Sequence, residues 1–220
     1  MSNTRFRPLS EAEREQAKKD RAERLAAEAA QIAQVARSEG RGRLIRAGFG
    51  TRHIESTPGL FEPKEASAAL WTRAMRGECV ALLGKYGRGK TQMACELCRA
   101  WIARNPTGQP LYTTAARLME TLKRSWGGDG PDPRDGWRKC PILVVDDLHL
   151  VYEREATGIE IGDLLDSRYY DKLATVLIAN YTPSEFVSKV GNRIVSRIKD
   201  GGATIELRGP DRRLANGGSA

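Results

Sequence analysis

Hydrophobic positions along the chain follow two rhythms. Over 79–83 (CVALL) and 142–145 (ILVV) they run without a polar break, and over 174–179 (ATVLIA) with Thr175 as the one exception, the pattern of strands covered on both faces. Shorter β-type runs stand at 111–114 and 203–207. Between them the period lengthens. Helices are expected over 64–76, 92–101, 115–126, 157–172 and 192–198, with a further one led by Pro183 and Ser184. In the third of these, Leu118, Met119 and Leu122 have core spacing, and in the fourth Ile159, Ile161, Leu164 and Leu165 lie on or near one face. The Gly/Pro run 127–133 is a loop. Strand and helix alternate from 78 to 207, which predicts a three-layer α/β fold with a mainly parallel sheet.

Upstream, residues 11–38 are rich in Ala, Glu, Lys and Arg and contain neither Gly nor Pro. They predict a helix with few large apolar side chains, Leu25, Ile32 and Val35 among them. Such a helix is either a solvated extension or a docking surface for a partner. Gly40 and Gly42 are expected to end it. The basic stretch 41–52 then either touches a nucleic-acid backbone or connects, packing Leu44, Ile45 and Phe49 on the main domain. The expected organisation is a charged helical extension over 1–40, a linker over 41–63, the α/β domain over 64–213 and a flexible tail over 214–220.

Composition narrows the class. A net charge of +8 favours polyanionic partners, or serves only solubility. No apolar run is long enough to span a bilayer and the charged N-terminus lacks a signal-type core, so a cytoplasmic protein without membrane contact is expected. Cys95 and Cys98 are spaced C-x-x-C, but no second Cys/His pair completes a zinc site. All four cysteines, with Cys79 and Cys140, therefore read as buried thiols.

The candidate chemistry sits at strand ends. Gly84-Lys85-Tyr86-Gly87-Arg88-Gly89-Lys90-Thr91 follows the first apolar strand directly and matches G-x-x-x-x-G-K-[ST]. Glycines let backbone N–H groups fold around a polyphosphate, Lys90 adds a cation and Thr91 a hydroxyl for Mg²⁺, and the following helix turns its positive end to the phosphates. Asp146 and Asp147 end the second long strand, where open α/β sheets bind ligands. Asp146 would hold Mg²⁺ and Asp147 would orient the attacking water; alternatively the pair only caps the next turn. Asn180, ending the third, either senses the terminal phosphate or closes a turn.

Taken in order, the loop 84–91, the strand ending in Asp146-Asp147, the strand ending in Asn180-Tyr181-Thr182-Pro183 and the segment Gly191-Asn192-Arg193-Ile194-Val195-Ser196-Arg197-Ile198 resemble the AAA+ ATPases of the DnaC/IstB type, helicase loaders and transposition helpers. The resemblance covers about 44–213. It implies ATP and Mg²⁺ as cofactors and a role for Asn180 as the first sensor. It further implies that Arg197, with Arg193 one turn earlier, supplies an arginine finger to a neighbouring subunit, and that Arg213 acts as a second sensor. Self-assembly, a replicative helicase and single-stranded DNA are the implied partners. A transposase is the alternative to the helicase, and a nucleotide-binding adaptor with negligible hydrolysis the alternative to both. Asp147 stands where many AAA+ proteins carry Glu, so slow hydrolysis is expected; the chain stops too soon after Arg213 for a full helical lid. No N-K-x-D guanine signature occurs.

Overall fold

The computed structural model describes residues 11–56, 63–125, 132, 134–150 and 155–212. Most of the expected loop at 127–133, the tail at 214–220, Arg213 and the side chains of Ile32 and Ile159 lie outside them. Five strands, β1 (Cys79–Leu83), β2 (Leu111–Thr114), β3 (Ile142–Asp146), β4 (Ala174–Ala179) and β5 (Ala203–Glu206), form one sheet in the order β2-β3-β4-β1-β5. Every pairing is parallel. The three central strands are buried at every position while β2 and β5 are only partly covered. This is why the unbroken apolar runs belong to the centre and the mixed ones to the edges.

The helices are α1 (Glu11–Ala47), α2 (Thr51–Ile54), α3 (Lys64–Met75), α4 (Lys90–Arg104), α5 (Ala115–Ser125), α6 (Arg134–Lys139), α7 (Glu155–Tyr170), α8 (Pro183–Lys189) and α9 (Asn192–Gly201). Alternate strand residues face opposite layers. Val80, Leu82, Val144 and Ile178 pack with Leu70 of α3 and Met93, Leu97 and Ile102 of α4. Ala81, Leu83, Val145 and Leu177 pack with Leu118 and Leu122 of α5, Ile161 and Leu164 of α7, and Ile194 and Ile198 of α9.

The chain divides into two compact units after Arg41. The first is helical from Glu11, with Leu25 and Val35 exposed. The expected stop at Gly40 and Gly42 does not occur, because α1 runs on to Ala47. Within the second unit Leu44 and Ala47 are buried, and Arg43 donates to Ile102 O at 3.3 Å, Asn105 O at 2.7 Å and Gly108 O at 2.5 Å. These contacts outweigh the ~1 kcal/mol that a helical glycine costs. The helix ends instead at Gly48, whose φ is +106° and where a Cβ would lie 2.6 Å from Tyr112 O. Leu44 and Phe49 enter the core as expected of a packed connection, whereas Ile45 remains exposed. The short α6 carries no strong periodic signal; Asp132 starts it by accepting the Arg134 N–H at 2.9 Å.

Arg168 of α7 is fully buried. Its guanidinium donates to Thr175 Oγ1 at 2.9 Å and to the carbonyls of Cys140 at 2.9 Å, Trp137 at 2.5 Å and Ala174 at 2.5 Å. It thereby ties the entrances of β3 and β4 to one side chain. Arg168→Leu removes the donors and leaves buried carbonyls bare, which is expected to destabilise the fold by about 3 kcal/mol or more. A lowered urea midpoint with unchanged slope would register it.

All four cysteines are free and buried. Burial pushes the Cys79 and Cys95 thiols up to about 12 and raises Cys98 and Cys140 as well. At pH 8 the thiolate fraction of Cys79 or Cys95 is therefore of order 10⁻⁴. The native protein is expected to show no fast-reacting thiol with a disulfide reagent and all four after denaturation; a rapid native equivalent would contradict this.

Candidate functional site

The sheet order assembles the site. Because β4 lies between β1 and β3, the end of β4 delivers Asn180 between the loop after β1 and the carboxylates that end β3. The loop opens at Gly84 and reaches α4 through Gly87 and Gly89, with φ values of +134°, +72° and +84° at these three glycines. All three φ values lie where side-chain-bearing residues are strained. A Cβ at Gly84 would collide with the Leu207 carbonyl. The Gly84 N–H donates to Tyr181 O at 3.1 Å and Leu207 N–H to Leu83 O at 2.8 Å, so the loop starts between two fixed neighbours.

Lys90 is 6% exposed. Its ammonium donates to Gly84 O at 2.7 Å, Lys85 O at 2.9 Å and Asn180 Oδ1 at 2.6 Å. Thr91 Oγ1 donates to Asp146 Oδ2 at 2.6 Å, and the same oxygen accepts Tyr112 O–H at 3.1 Å. A hydroxyl and a carboxylate in that relation are the hard oxygens that Mg²⁺ takes together with water, so the residues present fit that ion. The Tyr112 hydroxyl is made less acidic by burial and then by Asp146. Asp146 also fixes the next residue by accepting the Asp147 N–H at 2.7 Å. Asp147 has φ +54°, a left-handed backbone that costs a non-glycine residue of order 1 kcal/mol. Strain of this kind gathers at functional positions. Arg88, inside the loop, has a buried guanidinium nitrogen with no partner among the described residues.

Two neighbours complete the cluster. His149, in the 3₁₀ turn Leu148–Leu150, meets Asn180 Nδ2 at 2.9 Å and the Tyr86 hydroxyl at 3.0 Å. Burial disfavours its charged form; Asp147 acts against that and Lys90 with it. The second neighbour is the turn after β5. Arg212 N–H donates to Gly87 O at 3.0 Å, the Asp211 carboxylate occupies the space a Cβ at Gly87 would need, and the Arg212 side chain passes 3.5 Å from where a Cβ at Gly89 would be. Arg213, expected as the second sensor, lies outside the described residues. The basic residue observed on the loop is Arg212.

Arg193 and Arg197 lie apart from this cluster, on α9 against α7. Arg193 meets Asp166 Oδ2 through Nε at 2.7 Å and Asp163 Oδ1 through a terminal nitrogen at 2.7 Å. Arg197 donates through Nε to Asp166 Oδ1 at 2.6 Å and stacks over Tyr169 at 4.7 Å and Tyr170 at 5.5 Å. The Arg197 terminal nitrogens make no hydrogen bond among the described residues. Gly162 of α7 leaves room for the Arg193 stem, since a Cβ there would sit a tight 3.0 Å from Arg193 Cδ. One carboxylate thus orients two guanidiniums on a shared face.

The sheet order, the glycine loop on β1, the carboxylates on β3 and the amide on β4 together define a P-loop nucleotide-binding domain of the AAA+ type. The chain belongs to the family of IstB-like ATP-binding proteins, whose model matches residues 64–200. Among curated relatives, the chromosomal replication initiator protein DnaA of Lactobacillus helveticus is 24% identical over 131 residues, 59% of this chain and 28% of that protein. The replicative helicase loader DnaC of Escherichia coli K12 is 24% identical over 121 residues, 54% of this chain and 49% of that protein. The chain therefore spans half or less of these relatives. Solved structures agree on the fold. A crystal structure of the DnaC helicase loader superposes with a TM-score of 0.61 at 18% identity, covering 72% of this chain and all of that one. Domain III of Thermotoga maritima DnaA gives 0.60 at 21% identity, covering 70% and 65%. Among the described residues no helix is long and apolar enough to cross a membrane.

Proposed function

We propose that this chain is a cytoplasmic ATPase subunit that binds ATP and Mg²⁺ at 84–91, assembles with copies of itself, and loads a replicative helicase onto single-stranded DNA. The observation that carries the reading is the convergence of three separate strand ends. Lys90 meets Asn180 at 2.6 Å and Thr91 meets Asp146 at 2.6 Å, so the cation, the hydroxyl, the carboxylate and the amide needed for phosphoryl chemistry share one cluster.

The roles follow from position. Backbone N–H groups of the loop and Lys90 hold the phosphates; Thr91 and Asp146 hold the metal, which when bound neutralises phosphate charge. Asp147 orients the water, and its short side chain on a strained backbone makes turnover slow. Asn180 contacts the terminal phosphate. Arg197, with Arg193 beside it, reaches the nucleotide of the neighbouring subunit, where a fixed cation stabilises charge developing on the transferred group. Arg213 keeps the second-sensor role proposed for it, and Arg212 beside it, whose N–H meets Gly87 O, is a further basic residue proposed to close over the loop.

The relation to DnaC supports the helicase as partner, and the charge of +8 supports DNA. A second reading, a transposition helper acting on a transposase, is favoured by the family model over 64–200. Capture assays with the full chain and ATP, against a hexameric helicase and a transposase in parallel, separate them. Single-stranded DNA binding is expected to tighten with ATP and weaken with salt. DNA binding indifferent to ATP would remove the loader and the helper together.

A further inference from the structure

His149 has no role in the site described above although it touches Asn180 and Tyr86, and hydrogen-bond polarity dictates its state. The Lys90 ammonium can only donate, so its 2.6 Å contact fixes Asn180 Oδ1 toward Lys90 and turns the amide nitrogen toward His149. That nitrogen also can only donate. His149 Nε2, 2.9 Å away, must therefore accept, which makes the ring neutral with its proton on Nδ1. The same Nε2 lies 3.0 Å from the Tyr86 hydroxyl of the phosphate loop.

The ring is held as well as bonded. Tyr86 and Tyr181 meet it edge-on, with centroids at 5.6 Å and 6.0 Å, and Tyr181 O–H donates to the His149 carbonyl at 3.4 Å. Lys90 has two further acceptors, Gly84 O and Lys85 O, whereas among the described residues the Asn180 side chain meets Lys90 and His149 alone. Loss of His149 therefore frees the Asn180 amide and the tip of the loop but leaves the lysine seated.

We propose that His149 is a positioning residue that aims Asn180 and Tyr86 at the terminal phosphate, so that ATP turnover depends on it and nucleotide affinity does not. The proposal rests on the reading of 84–91 as an ATP site with Asn180 as its sensor. A side chain in contact with the amide has one orientation to offer; a freed amide samples several, and misplacement of order 1 Å costs about 10²-fold in rate.

The test compares wild type, His149→Ala, His149→Gln and Asn180→Ala, in steady-state ATP hydrolysis and in equilibrium binding of a fluorescent ATP analogue. His149→Ala is expected to lower kcat by about 10- to 100-fold with KM and analogue affinity within about twofold; retained affinity also reports that the variant is folded. Glutamine offers an amide oxygen whose two lone pairs can accept from both Asn180 and the Tyr86 hydroxyl, so His149→Gln is expected to recover most of the rate. Combining His149→Ala with Asn180→Ala is expected to add little to Asn180→Ala alone. Equal losses for Ala and Gln, a loss confined to affinity, or additive effects in the double variant would overturn the positioning role. Wild type that neither binds nor hydrolyses ATP would overturn the site reading itself, and an Asn180→Ala variant with full activity would overturn the sensor assignment together with the role of His149.

Discussion

Replacing Lys90 with alanine is expected to abolish measurable nucleotide binding and to lower ATP turnover by about 10³-fold or more. The side chain is 6% exposed and its ammonium meets three oxygens at 2.6–2.9 Å. Fluorescent-nucleotide titration and phosphate release measure the two effects. Asp147→Asn provides the contrast. It preserves the shape that the +54° backbone holds, and is expected to bind ATP normally while turnover falls. If wild type, Lys90→Ala and Asp147→Asn all release phosphate at one background rate, the chain is a nucleotide-binding adaptor and not an ATPase.

Arg197→Ala is expected to cost about 10³-fold in turnover, the scale of an arginine finger, with nucleotide binding little changed. Because Arg197 sits on α9 against α7 and away from its own loop, the loss is expected to be complemented in trans. Mixed oligomers of Lys90→Ala and Arg197→Ala contain some interfaces with an intact loop on one side and an intact arginine on the other. Mixing two inactive variants should therefore restore part of the activity, and wild-type specific activity should rise with protein concentration. Activity independent of concentration, with no gain on mixing, would place the arginines in a structural role. Asp166→Asn sharpens the comparison. It keeps the size of the side chain but weakens its hold on both arginines, so it is expected to raise the concentration needed for half-maximal activity.

The fold was legible wherever one local pattern decided the element. Continuous apolar runs mark β1, β3 and β4 because both faces of those strands are covered, and the glycine loop is confined by its own backbone geometry. Strand order was not legible from those runs, and order is what places Asn180 beside Lys90. Helix α1 was expected to stop at Gly40 and Gly42 because propensity is local, while the contacts of Arg43, Leu44 and Ala47 that carry it onward are not. His149 lies three residues beyond Asp146 with no periodic or motif signal; only its distances to Tyr86 and Asn180 mark it. Asp163 and Asp166 likewise look like ordinary charges on a helix until α9 lies across them. Arg212, next to the expected sensor Arg213, meets the loop through its N–H to Gly87 O, a contact made by the backbone of a turn, which residue type does not signal.

Gly162 exposes a conflict between two kinds of fitness at a single position. A glycine inside α7 is about 1 kcal/mol worse for helix formation than alanine, so a search for stabilising substitutions would choose Gly162→Ala early. The added methyl would lie 3.0 Å from Arg193 Cδ, so that side chain would have to give by a few tenths of an ångström on the face it shares with Arg197. Thermal stability would report the helix and not the setting of Arg193, so the same carbon atom has to be judged by the concentration dependence of turnover as well.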